Sequence, residues 1–150
     1  MEIVRTRDMK LANSILSNPA IDRTIRGNST DSIYPSNRNN HIYFTSFIND
    51  RPIGLVIMHL DKYEEWQIHI QILPEYRLDY AEEFGVAGMQ WIWDNTDIDT
   101  LNAKIPECYP NVKDFALLMG FRIVDLIPDD YIEGTESFGR WVLRIDKGKL

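Results

Sequence analysis

A chain of 150 residues with 44% hydrophobic and 26% charged residues has the composition of an ordinary globular protein, and one domain spanning 1–150 is expected. Sixteen basic against 23 acidic residues leave a net charge of −7, a field that repels phosphate backbones and argues against a nucleic-acid partner. The lone cysteine, Cys108, excludes an internal disulfide framework and a clustered thiolate metal site, and no run of about 18 apolar residues is present to span a bilayer.

The first ten residues hold no apolar stretch, so no signal peptide is expected, and the single cysteine fits the cytoplasmic location that is expected. Residues 2–7 alternate and start a strand at Ile3 and Val4. Asp8 is placed to cap a helix over Met9–Leu16, which Ser17, Asn18 and Pro19 interrupt. A short helix over 20–26 ends near Gly27, and 27–40 is a loop by its Gly, Ser, Asn and Asp content. The period then changes. Strands are expected over 41–48, 53–60 and 66–73, joined by turns at 49–52 and 61–65 and closed by Pro74, which makes an antiparallel meander.

A helix over 80–93 carries Phe84, Ala87, Gly88, Trp91 and Ile92 on one face. Trp91 is expected to pack on the sheet and Trp93 to be partly exposed. A short strand at 101–105 precedes a helix over 111–119, which Gly120 is placed to terminate. Strands at 121–127 and 138–145 close the chain around an acidic loop holding Asp129, Asp130, Glu133 and Glu136. The order β-α-α-β-β-β-α-β-α-β-β describes an α/β (α+β) chain without internal repeats.

That order resembles the GNAT superfamily of N-acyltransferases, and two segments strengthen the likeness. Ile72-Leu73-Pro74-Glu75-Tyr76-Arg77 is similar to the V-x-P-E-x-R that ends the family's fourth strand. Asn111 followed by Leu117-Leu118-Met119-Gly120-Phe121 is similar to the later signature, an Asn opening a helix that ends in Gly-Phe. The resemblance implies a mixed, mainly antiparallel sheet of about six to seven strands flanked by about four helices. It implies acetyl-CoA or another acyl-CoA as cofactor, with pantetheine amides pairing near Ile72 and Leu73. Arg77, Leu78 and Tyr80 at the following helix start, with Asn111, complete the implied cofactor site.

The segment Arg77-Leu78-Asp79-Tyr80-Ala81-Glu82 departs from the family's R/Q-x-x-G-x-G/A loop, with Tyr80 in place of the first Gly and Glu82 in place of the second small residue. A helix start suits a pyrophosphate. A tyrosine ring and the carboxylates of Asp79, Glu82 and Glu83 oppose it. The same acids are also what a well-capped helix start carries without any ligand. Where the family places a tyrosine four residues before the Gly, this chain has Ala116, and Tyr109 falls before Pro110.

An amine acyltransferase needs a base on the central strands. His69 shares a face of its strand with Gln67, Gln71 and Leu73, and its ordinary pKa lies near neutrality. Glu65, with Glu64, is the second choice. If the hairpin turns fall where expected, His41, His59 and His69 form a row across the sheet, a geometry open to metal binding or proton relay, although no metal is assigned. Cys108 reads as an incidental thiol. Two functions follow from the resemblance. One is acyl transfer to an amine of a small molecule or protein. The alternative is a non-catalytic phage or prophage GNAT-like module, virion-associated, with a protein partner.

Overall fold

Local chemistry sets the first elements. In this computed structural model, which describes residues 1–21 and 40–148, Val4–Thr6 forms β1 and Met9–Leu16 forms α1. The Asp8 carboxylate accepts from the Lys10 and Leu11 N–H groups at 3.0 and 3.2 Å, the N-cap bond expected of that residue. Ala12, Ile15 and Leu16 are buried beneath the helix against Tyr43 and Leu55. Residues 19–21 are helical; the rest of the helix expected over 20–26, and the loop at 27–39, lie outside the described residues.

The strand expected over 41–48 is two strands. β2 (His41–Thr45) ends at Ser46, and β3 (Phe47–Ile48) pairs with β4 (Arg51–Pro52) as a separate hairpin. Asn49 and Asp50 take φ of 50° and 64° in its two-residue turn, the doubly left-handed geometry that Asn and Asp tolerate best among side-chain-bearing residues. β5 (Gly54–Leu60) then pairs with β6 (Trp66–Ile72) across a turn organised by Asp61. Its carboxylate accepts from the backbone of Tyr63 and Glu65 at 2.8 and 3.0 Å.

The main helix, α2 (Arg77–Asn95), begins three residues before the expected start at 80, because Pro74–Tyr76 forms a 3-10 turn that runs straight into it. Its buried face is also rotated from expectation. Phe84, Gly85, Gly88, Met89, Ile92 and Trp93 are buried, whereas Ala87 and Trp91 are half-buried. Gly88 lets the helix approach the sheet: a Cβ there would sit 3.0 Å from Phe44 Cε2. Trp91 packs on Phe44 with ring centroids 5.0 Å apart and planes tilted by 40°, as expected for packing on the sheet. Trp93 is 6% exposed rather than partly open, and its Nε1 finds no hydrogen-bond partner among the described residues.

β7 (Thr100–Pro106), α3 (Pro110–Leu118), β8 (Arg122–Glu133) and β9 (Glu136–Asp146) complete the chain. The acidic segment expected as a loop is the far end of a long β8–β9 hairpin, with Tyr131 opposite Phe138 and Glu133 opposite Glu136. Register shifts between Ile127 and Tyr131 bulge the strand there, and Asp129 takes φ of 53°. The seven-stranded sheet has the order β1-β2-β5-β6-β7-β9-β8 and is antiparallel except where β6 meets β7. This is the mixed, mainly antiparallel sheet that the element order implied. One face is covered by α2 over a core that includes Phe44, Phe84, Ile92, Leu101 and Leu143; α1 covers part of the other. Among the described residues no helix is long and apolar enough to cross a membrane.

Candidate active site

The one parallel junction creates the opening. β6 and β7 are in register only at Gln67 and Asn102, so from Ile68 to Ile72 the β6 edge has no partner on β7. A strand edge without a ladder carries backbone groups that seek other partners. The two strands point the same way, and each is followed by a helix, so α2 and α3 both start beside the open end. Helix starts favour anions there.

Several groups at this mouth are already engaged. The Ile72 carbonyl accepts from Arg77 Nε at 2.8 Å, and the Leu73 N–H donates to the Ile53 carbonyl at 2.9 Å. Of the backbone implied to pair with pantetheine around Ile72 and Leu73, these two atoms thus have partners within the chain. Within the 3-10 turn Tyr76 N–H donates to Leu73 and Arg77 N–H to Pro74, so the expected phosphate loop is a helical turn with fewer free amides.

Arg77 is exposed and its guanidinium forms no ion pair among the described residues. Leu78 is 96% exposed and covers nothing. Tyr80 is half-buried: its ring lies 6.1 Å from that of Tyr76 and packs against the core, on the same side of α2 as Phe84 four residues on. Asn111 is exposed at the second residue of α3, with Pro110 at the first; Tyr109 is the cap and makes no side-chain capping bond.

His69 lies on the sheet face away from α2. The register puts His41 opposite His59 and His69 opposite Ile57, so the three histidines do form the expected row. His59 Nε2 and His69 Nε2 are 3.3 Å apart with rings 7° from parallel, one donating and the other accepting. His41 stacks against His59 at 6.0 Å and its Nδ1 meets Asn40 Oδ1 at 2.8 Å. Burial, then the charges of His59 and Arg140, lower the His69 pKa to about 4. His59 is lowered as well, by burial and by His41, with Asp61 opposing. Both imidazoles are thus neutral at neutral pH. Among the described residues no group of three or more His, Cys, Asp or Glu has the arrangement of a metal site.

Sequence reasoning missed a second cluster. Tyr109 Oη donates to Glu133 Oε2 at 2.9 Å and lies 3.3 Å from Tyr131 Oη; Cys108 Sγ donates to the same carboxylate at 3.7 Å. Arg140 stacks over the Tyr131 ring at 5.1 Å. Burial, with the bonds to Tyr131 and Glu133, pushes the Tyr109 pKa up, so its proton is held tightly. The cluster was hidden because Tyr131 and Glu133 read as loop, whereas the β8–β9 hairpin brings them beside Tyr109. Glu65, the second candidate base, is not brought to His69. It is exposed at the opposite end of β6, roughly 13 Å along the strand at the usual rise per residue, on the wall of a 490 Å³ cavity with Glu64 and Trp66.

The sequence matches no family model and no curated protein. Solved structures do match. Spermidine N-acetyltransferase from Vibrio cholerae, in complex with CoA and spermine, superposes with a TM-score of 0.80 at 13% identity over 99% of this chain and 96% of that one. An N-acetyltransferase from Staphylococcus aureus Mu50 superposes with a TM-score of 0.72 at 16% identity over 97% and 96%. Neither structure lends support to the phage-protein resemblance. The splayed parallel pair, the two helices that start at its mouth and these superpositions together establish that this chain has the GNAT fold.

Proposed function

We propose that the chain is an acyl-CoA-dependent N-acyltransferase that moves an acyl group, most simply acetyl, onto the amine of a small molecule or protein. The observation that carries this reading is the opening between β6 and β7, with one register pair at its closed end and two helix starts at its open end. An amide-bearing pantetheine arm fits the unladdered edge of β6, and the free terminal nitrogens of Arg77 suit a phosphate. Neighbouring structures of this fold are N-acetyltransferases, one holding CoA and spermine, which favours an amine acceptor. Leu78, Tyr80 and Asn111 flank the mouth; in this reading Asn111 contributes a polar contact, while Tyr80 shapes the wall from within the core.

The reaction forms a C–N bond to the acyl carbon and breaks the C–S bond. The amine nitrogen must first lose a proton. His69 is the candidate acceptor, since it is neutral, and the His59 contact lets a proton pass between the two Nε2 atoms. Its lowered basicity makes transfer from an ammonium uphill by several pKa steps, so an amine arriving already neutral reacts best. Tyr109 is a poor donor to the leaving thiolate because its proton is bonded to Glu133; water serves instead. A non-catalytic binding module is the second reading, favoured by the helical turn where a phosphate loop was expected. Calorimetric titration with acetyl-CoA separates the two. Saturable heat that vanishes in Arg77→Ala supports the enzyme, and no heat at millimolar acetyl-CoA leaves the binding module.

A further inference from the structure

The sheet has two edges, and they differ in length. β1 at one end has three residues, whereas β8 at the other runs for twelve. A long edge strand exposes a row of backbone N–H and C=O groups to any chain that can pair with it. Pro128 and the bulge between Ile127 and Tyr131 blunt the distal half of β8. The proximal half, 122–127, is apolar at four of its six positions. Apolar exposure gathers there too. Of the thirteen large hydrophobic side chains exposed among the described residues, seven lie on α3 and β8. Ile123, Val124 and Leu126 are each between 45% and 48% exposed. Ile123 and Leu126 lie opposite Leu143 and Trp141, so both stand on the face that packs the main core, at a margin the helices leave open. A contiguous apolar margin of this kind marks an interaction surface.

The strand's own sequence points to the occupant. Val124 is the extra residue of the bulge between Ile123 and Asp125, and it brings Arg122 and Asp125, opposite Arg144 and Val142, onto one face. Antiparallel pairing of 122–125 with a second copy about a two-fold axis sets Arg122 against the partner's Asp125 and Ile123 against the partner's Val124. The same contacts recur on the other side of the axis, the self-complementarity that an isologous interface requires. A slip of one residue would set Arg122 against the partner's Val124 or Leu126, so charge fixes the register. Both groups have capacity left. Arg122 gives one terminal nitrogen to Asp146 at 3.1 Å. Asp125 accepts from the Leu126 N–H at 2.8 Å through one oxygen and has no ion pair among the described residues.

We infer that β8 is a self-association edge, through which two copies of this chain pair antiparallel over 122–125 and join their sheets. The axis stands perpendicular to the sheet, so Ile123 and Leu126 of the two strands share one face across the seam. β7 and β9 separate that seam from β6, and its formation is independent of acyl-CoA binding.

The test measures self-association of the full chain by sedimentation equilibrium from micromolar to millimolar concentration. The native chain is expected to form a dimer. Arg122→Asp and Asp125→Arg, both at exposed positions, each turn the two cross-strand pairs into like charges and should weaken the dimer by roughly tenfold or more. An equimolar mixture of the two variants should form a heterodimer. One chain carrying both substitutions should dimerise again, since opposite charges face each other in either case. A native chain that stays monomeric at every concentration, a dimer indifferent to the single substitutions, or variants that fail to associate on mixing would each overturn the inference.

Discussion

His69 and His59 share one hydrogen bond on a half-buried face, and that pairing has a measurable consequence for stability. The His69 pKa falls from 6.5 to about 4 on folding, so between those values the unfolded chain binds more protons than the folded one. Stability from this group is complete above pH 6.5 and is lost as the pH falls toward 4, by about 3 kcal/mol in all. Urea denaturation at pH 7 and pH 5 should show a drop in midpoint for the native chain. A His69→Gln variant should show a smaller drop; equal drops would mean the histidine is solvated. Tyr80 gives a second residue-scale test. Since its ring packs on Tyr76 and the core, Tyr80→Gly should destabilise by about 3 kcal/mol through a cavity and a mid-helix glycine, not open a phosphate site. A raised or unchanged melting temperature would return Tyr80 to the role of obstruction.

Single elements show which local signals survive tertiary context. Asp8, Asn49-Asp50 and Gly120 each act as their chemistry requires, and they were legible because cap and turn geometry depends on a few neighbouring residues. Gly120 is the clearest: φ is 101°, its N–H donates to Leu117 at 3.1 Å and that of Phe121 to Ala116 at 3.1 Å, the paired bonds of a Schellman stop. Gly120→Ala should therefore lower stability by about 1 kcal/mol, with no loss of helix elsewhere by circular dichroism. The histidine row was legible for a similar reason, since two short turns set the register of β2, β5 and β6. What failed depended on distant contacts. Pro128 and Asp129 broke the period of β8, hiding a strand held by its partner β9 rather than by its own pattern. Trp93 is buried because it shares the inward face of α2 with Gly85 and Met89, a face fixed by how the helix docks on the sheet and not by its own spacing. The Tyr109–Glu133 bond spans 24 residues and was invisible until the hairpin was known.

The whole molecule sets one field against one local contact at the proposed cofactor mouth. A chain of net charge −7 repels an anionic coenzyme at long range, while Arg77 and the start of α2 attract its phosphates at short range. Around that start Asp79 and Glu82 are exposed and form no ion pair among the described residues, whereas Glu83 lies 3.6 Å from the N-terminal ammonium. The first two are thus the carboxylates most available to oppose a pyrophosphate. Removing both charges in an Asp79→Asn, Glu82→Gln variant should tighten acetyl-CoA binding by roughly tenfold at low salt, about 1 kcal/mol or less for each charge. The gain should shrink as salt rises, since the Debye length falls to about 8 Å at physiological ionic strength. The association rate of the native chain should rise with salt, the reverse of an attractive encounter, because screening removes the repulsion of the whole surface before it weakens the contact with Arg77. Stopped-flow fluorescence and calorimetry on the two proteins at three salt concentrations read both quantities. An affinity indifferent to the two carboxylates would place any bound pyrophosphate away from α2, and the mouth between β6 and β7 would then lack its phosphate end.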